Sequence, residues 1–290
     1  MGTKRMRIYY RTVNYSYMRR AAEKVLHKRK ERYSWKLFCK DILEVIVFFA
    51  VILLAIKAML GADMAVPLAG VVSCSMIHED DLLSTWSYSL AGLFPAFLPA
   101  PCTYNYGLEW RSWLARKAPD LDIGRMPFAN GFAVGDLLLV GSYNGAGILS
   151  KKGIMPGDVI LFTYKKTPDQ PGNEPLLHRV VAKIEIRNGS VASISGALDC
   201  FTPQDFQDEF VQYIKRCQEG RPLCPYGKFP SGNDYNMYLT KGDNNGITDQ
   251  CNALIVPPIT DENVIAKAYL RIPLLGWLKI FIEPLFNFWK

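Results

Sequence analysis

The chain has 290 residues, 49% of them apolar and 21% charged, with seven cysteines and a net charge of +7. That balance excludes an intrinsically disordered chain and supplies enough apolar surface for one large core or two small ones. The charge is uneven: residues 1–40 carry 13 Lys and Arg against Glu23 and Glu31, so the other 250 residues are net acidic.

Beside the basic block, Asp41 to Leu60 is nearly all apolar. About twenty residues at a rise of about 1.5 Å give about 30 Å, the thickness of a hydrocarbon core. Glu44 and Lys57 fall near its two ends, where such side chains reach the interface. Lys and Arg next to an apolar span stay in the cytoplasm during insertion. The expected layout is a basic cytoplasmic segment (1–40), a transmembrane anchor (41–60) and an external part from residue 61 on the extracytoplasmic face of the cell membrane. The competing reading of the basic block is a nucleic-acid arm; its place beside the span favours the membrane, and no nucleic-acid partner is expected. A removable leader would need a basic region about forty residues long, although Ala65 to Gly70 loosely resembles a cleavage site.

The external part, 61–271, reads as mainly β. Gly135-Asp136-Leu-Leu-Leu-Val140 and Gly157-Asp158-Val-Ile-Leu-Phe-Thr-Tyr164 are short apolar runs opened by Gly-Asp turns. His178 to Ile186 and Ser190 to Ser195 alternate around Asn188-Gly189, the signature of a hairpin. Asn236 to Thr240 makes a further strand, ending at Lys241-Gly242-Asp243-Asn244-Asn245. In this region helical spacing appears only in Asp205 to Arg216, through Phe206, Phe210, Val211 and Ile214. Two insertions interrupt the strands. Residues 80–126, rich in Trp, Phe and Pro, either touch lipid or cover a cleft, or pack their aromatics inward as a subdomain. Residues 199–235 read as a surface excursion. The apolar end, 272–290, is broken by Pro273 and Pro284 and reads as an interfacial segment or a second transmembrane span.

Cys39 is expected in the cytoplasm. Cys74, Cys102, Cys200, Cys217, Cys224 and Cys251 fall in a compartment that permits disulfides, and no pair has metal-ligand spacing. Cys217 and Cys224, seven apart, are either bridged or free buried thiols. Cys74, between Ser73 and Ser75, is expected to stay reduced.

A serine becomes a nucleophile only with an adjacent base, an orienting group and oxyanion donors. Ser75 lies just beyond the anchor. Of the three histidines, His27 is on the cytoplasmic side and His78, three residues from Ser75, is badly placed to reach it; His178 can approach from across the fold. Asp243 and Asp249 follow a strand in a Gly-Asp-Asn-Asn turn, where Asp can aim inward while Asn bonds the backbone. The acidic residues are too few for a calcium cage.

Ser73-Cys74-Ser75-Met76, Gly135-Asp136-Leu-Leu-Leu-Val, Gly157-Asp158-Val-Ile-Leu-Phe, Leu177-His178-Arg179-Val180-Val181 and Lys241-Gly242-Asp243-Asn244-Asn245 stand in the order of the boxes of type I signal peptidases. The chain resembles the archaeal and endoplasmic-reticulum branch, in which His replaces the bacterial catalytic lysine. Imidazole titrates near pH 6.5 without help, whereas a lysine base must first be desolvated. The resemblance implies a signal-peptidase-like β-sheet catalytic domain carrying the N-terminal transmembrane helix and the two insertions. It implies a serine endopeptidase that cleaves N-terminal signal peptides from exported preproteins without a metal or organic cofactor. Shallow apolar subsites would admit small residues one and three positions before the scissile bond. It makes Ser75 the nucleophile, His178 the general base, Asp249 the relay aspartate and Asp243 a neighbour that orients the site, leaving open which aspartate pairs with His178. The Ser75 N–H and the Ser73 hydroxyl would form the oxyanion hole. Implied partners are preprotein signal peptides and membrane lipid, with secretion-channel or accessory subunits beside them. Cys74 stands where the family has glycine, which a strand-like backbone would allow. The alternative is a non-catalytic, membrane-tethered β-domain that binds surface partners. A self-cleaving regulator would need a Ser-Lys pair and a DNA-binding domain, and neither is evident.

Overall fold

The computed structural model describes residues 35–62, 67–77, 110–150, 152–164, 175–221, 224–251 and 257–278. His27, His78, Cys102 and most of both the basic block and the first insertion lie outside the described residues. The chain divides into two compact units, 1–54 and 55–290. Helix α1, Trp35–Leu60, has 26 residues and a mean hydropathy of 2.6, with none of its apolar window buried. It is long and apolar enough to cross a membrane. The helix begins six residues before the expected Asp41, because Trp35 to Lys40 contains no breaker and Lys40 pairs with Glu44 one turn on.

The second unit is built on one antiparallel sheet of eight strands: β1 (Leu68–Gly70), β2 (Leu137–Gly141), β3 (Val159–Thr163), β4 (Pro175–Arg187), β5 (Ser190–Gly196), β6 (Tyr235–Lys241), β7 (Ile259–Thr260) and β8 (Val264–Ile272). Their order across the sheet is β1-β2-β8-β3-β4-β6-β7, and β5 pairs with β4. The long strand β4 organises the sheet. Its first half faces β3, its second half faces β5, and its other edge carries β6.

Five of these strands coincide with the runs legible in the sequence; β1, β7 and β8 do not. β8 lies between β2 and β3 in the middle of the sheet although it contains Lys267 and Arg271. Both charges are neutralised locally. Lys267 Nζ lies 2.6 Å from Asp158 Oδ2 and Arg271 Nε 2.6 Å from Asp136 Oδ2, and both carboxylates come from the Gly-Asp turns that open β3 and β2. Asp136 also accepts from the backbone N–H of Ala133, and burial still raises its pKa above the usual carboxylate value. The turn residues thus serve a second purpose, as counter-ions for a buried strand.

One face of the sheet is covered by helix α2 (Trp110–Lys117) and by a helical run comprising Pro203–Asp205, a π turn at Phe206–Phe210 and α3 (Val211–Gln218). Thr202 caps this run in a reciprocal capping box with Asp205. Phe206, Phe210 and Ile214 are almost fully buried and pack with Trp110, Trp113, Ile184 and Met237 in the largest apolar cluster. The segment 199–235 is therefore not a surface excursion: its helix supplies core that the second half of β4 would otherwise expose. The described part of the first insertion packs its tryptophans inward. Beyond β8, Trp277 is buried against Gly135, so the apolar C-terminal segment begins as part of this unit. Residues 279–290 lie outside the described residues.

Cys200–Cys251 and Cys217–Cys224 are disulfides, while Cys39 is free and exposed. Cys74 is disulfide-bonded as well. The expectation that it stays reduced is overturned, and with it the idea that the nucleophile's neighbour is a free thiol.

Candidate active site

The chain leaves β1 and turns through a short 3₁₀ segment, Cys74–Met76, for which Ser73 is the extended N-cap (φ −117°, ψ 160°). Met76 and Ile77, each 1% exposed, root the turn in the core, and Phe132 N–H donates to the Met76 carbonyl. Cys74 is therefore helical, not strand-like as expected, and its Cβ is accommodated without a positive φ. The other side of the turn is held by the segment after β6. Asn244 N–H donates to the Ser75 carbonyl (2.7 Å), and Asn244 Nδ2 donates to the Cys74 carbonyl (3.2 Å). Gly242 makes that approach feasible: a Cβ there would stand 2.8 Å from the Ser75 oxygen and 2.9 Å from its Cβ.

His178, on β4 opposite Ile160 of β3, is 4% exposed. Its Nε2 lies 2.9 Å from Ser75 Oγ and its Nδ1 lies 2.6 Å from Asp249 Oδ2. An ionised carboxylate can only accept, so Nδ1 carries the hydrogen and the Nε2 lone pair faces the serine hydroxyl. The imidazole meets the Phe162 ring edge-on, with centroids 6.5 Å apart. Asp249 is held in turn. Thr240 Oγ1 donates to the same Oδ2 (2.8 Å), and Asp249 N–H donates to the Thr240 carbonyl. Its loop is tied down by the Cys200–Cys251 disulfide and by Thr248, which donates to Asp199.

Asp243 does not reach the histidine. Neighbouring residues on a strand point to opposite faces, so Arg179 projects away from His178. Its guanidinium takes Asp243 in a two-point contact, Nε to Oδ1 at 2.8 Å and Nη2 to Oδ2 at 2.7 Å, with both side chains 1% exposed. The remaining donors go to the carbonyls of Pro127, Phe128 and Gly157, and Trp110 lies 4.2 Å from the guanidinium carbon. Lys241, also buried, lies over Trp113 and donates to the carbonyls of Gly242 and Asp243. Burial lowers its pKa to about 8, against the opposing pull of Asp243 and Asp249. Asp249 is thus the partner of His178, and Asp243 braces the strand on which His178 stands.

Ser73 Oγ lies 3.1 Å from Ser75 Oγ. With the Ser75 proton turned towards His178, the Ser73 hydroxyl is the donor of that pair. Ser75 is the second residue of its 3₁₀ turn, where a backbone N–H has no acceptor within the turn. Of the two donors named in the sequence as an oxyanion hole, the Ser73 hydroxyl borders the reactive oxygen. A hydroxyl bonded to a neutral imidazole, itself oriented by a buried carboxylate, is the arrangement that makes serine nucleophilic. The sequence reading did not single out Thr240, Arg179, Trp110 or Trp113 for the site. Arg179 stands inside the motif that carries His178 and Thr240 directly precedes Lys241-Gly242-Asp243-Asn244-Asn245, but nothing local shows that Thr240 supports Asp249 and Arg179 supports Asp243.

Among the described residues no group of three His, Cys, Asp or Glu is placed to hold a metal ion. The chain matches no protein-family model, no curated protein and no solved structure.

Proposed function

We propose that this chain is a membrane-anchored serine endopeptidase of the type I signal peptidase kind, cleaving N-terminal signal peptides from exported preproteins. The observation that carries the reading is the continuous hydrogen-bonded chain Ser75 Oγ, His178 Nε2, His178 Nδ1, Asp249 Oδ2, drawn from three distant segments. In this mechanism Ser75 Oγ attacks the scissile carbonyl as its proton passes to His178 Nε2, and Asp249 stabilises the resulting imidazolium. The Ser75 N–H and the Ser73 hydroxyl hold the oxyanion, each such donor being worth about 3 kcal/mol. His178 then protonates the leaving amine, and a water deprotonated by the same imidazole hydrolyses the acyl-enzyme. Helix α1 acts as the anchor, with the N-terminus cytoplasmic and the catalytic unit on the extracytoplasmic face. Enzyme and preprotein then share a two-dimensional layer, which raises their effective concentration.

The test is cleavage of a preprotein by the purified full chain beside Ser75→Ala and His178→Ala. Both variants are expected to lose activity by at least about 10³-fold while remaining folded. Full activity in either would return the chain to the non-catalytic tethered domain.

A further inference from the structure

The carboxyl end of α1 is fastened to the sheet by its backbone. Ser142 N–H, directly after β2, donates to the Leu60 carbonyl (2.8 Å) and Leu149 N–H to the Met59 carbonyl (2.9 Å), while Ala62 N–H closes the helix end locally on the Lys57 carbonyl (3.2 Å). These carbonyls belong to the last turn, whose acceptors find no N–H donor within the helix itself. The contact is closer than side chains allow. A Cβ on Gly147 would stand 2.2 Å from Gly61 N, and a Cβ on Gly141 would stand 2.6 Å from the Leu60 carbonyl oxygen. Satisfying these groups matters where a helix leaves hydrocarbon, because an unpaired carbonyl there costs several kcal/mol.

The loop that makes this contact exposes apolar side chains. Ile148 is 87% exposed and Leu149 58%, directly after the glycine that touches the helix end. In a purely aqueous setting two adjacent large aliphatic residues at a loop tip gain nothing from exposure. In sequence, cationic residues stand on either side of this contact: Lys57 on the last helical turn and Lys152 two residues after the loop. Apolar tips flanked by lysines suit the boundary between acyl chains and headgroups.

We propose that the loop Gly147–Ser150 is a membrane-contacting element that inserts Ile148 and Leu149 into the bilayer interface beside the exit of α1. The proposal rests on the reading of α1 as a membrane anchor and is independent of the peptidase chemistry. The helix end and the loop form one backbone-bonded unit with β2, whose neighbour β1 leads to Ser75. The loop therefore gives the unit that carries Ser75 a second point of lipid contact.

The test uses the full chain in phosphatidylcholine vesicles, in a Cys39→Ser background, with an environment-sensitive dye on Ile148→Cys, Phe48→Cys or Asp208→Cys. Quenching by lipids brominated near the headgroup end of the acyl chain is expected to be at least about threefold stronger at position 148 than at exposed Asp208. Phe48, in the middle of α1, reports on the anchor through lipids brominated deep in the chain. If Phe48 is quenched and 148 behaves like 208, the loop proposal is overturned while the anchor stands. If Phe48 is not quenched, the anchor reading falls and takes the proposal with it.

Discussion

Replacing Asp249 by Asn keeps the shape of the side chain and removes its charge. Asp249 is 3% exposed, and its Oδ2 lies 2.6 Å from His178 Nδ1. When the imidazole takes the serine proton, charge centres about 4 Å apart at an effective dielectric of about 20 attract by about 4 kcal/mol. At about 1.4 kcal/mol per factor of ten, losing that attraction slows the acylation step about 10³-fold. The amide adds a second loss. If its NH₂ meets Nδ1, the imidazole carries its hydrogen on Nε2 and presents no lone pair to Ser75, so the total fall is expected between about 10³ and 10⁴. The assay is single-turnover cleavage of a preprotein at saturating enzyme, alongside KM under turnover. Asp249 lies behind the histidine, so the rate constant should fall while KM holds. A folded Asp249→Asn protein within tenfold of wild type would refute the assignment of this carboxylate.

Two other perturbations separate bracing from chemistry. Asp243→Asn leaves the Arg179 guanidinium, 1% exposed, without its carboxylate, and is expected to cost about 3–5 kcal/mol of stability; urea unfolding in detergent measures this, and a loss below about 1 kcal/mol would contradict the bracing role. Lys241 supplies a pH signature. Its folded pKa of about 8 lies below its ordinary 10.5, so between these values the unfolded chain holds a proton that the folded chain has released, and stability rises with pH. Relative to Lys241→Met, wild type should gain up to about 3 kcal/mol between pH 8 and 10.5. Urea unfolding of both proteins across that window checks it, because the other titrating groups cancel in the difference; a flat difference would mean that the folded lysine keeps its proton through the window and that burial does not lower its pKa.

The sequence by itself determined the apolar span, five of the eight strands, and Ser75, His178 and a pair of aspartates as the candidates for the site. Each is written in a local pattern: an uncharged run of bilayer length, alternation at period two, short motifs in a fixed order. Its misreadings share one origin. β8 is not legible as a central strand because the counter-ions of Lys267 and Arg271, Asp158 and Asp136, are more than a hundred residues away. The helical run after Pro203 reads as an excursion because its burial depends on β4 and α2. Cys74 reads as a free thiol because nothing in its local sequence marks its disulfide. Only the tertiary structure decided that Asp249 and not Asp243 meets His178. Both carboxylates follow the same strand within eight residues, and the choice is made by where Thr240, the Cys200–Cys251 bridge and the buried Arg179 hold them. Which carboxylate reaches an imidazole is a matter of ångströms in space, and sequence spacing does not encode it.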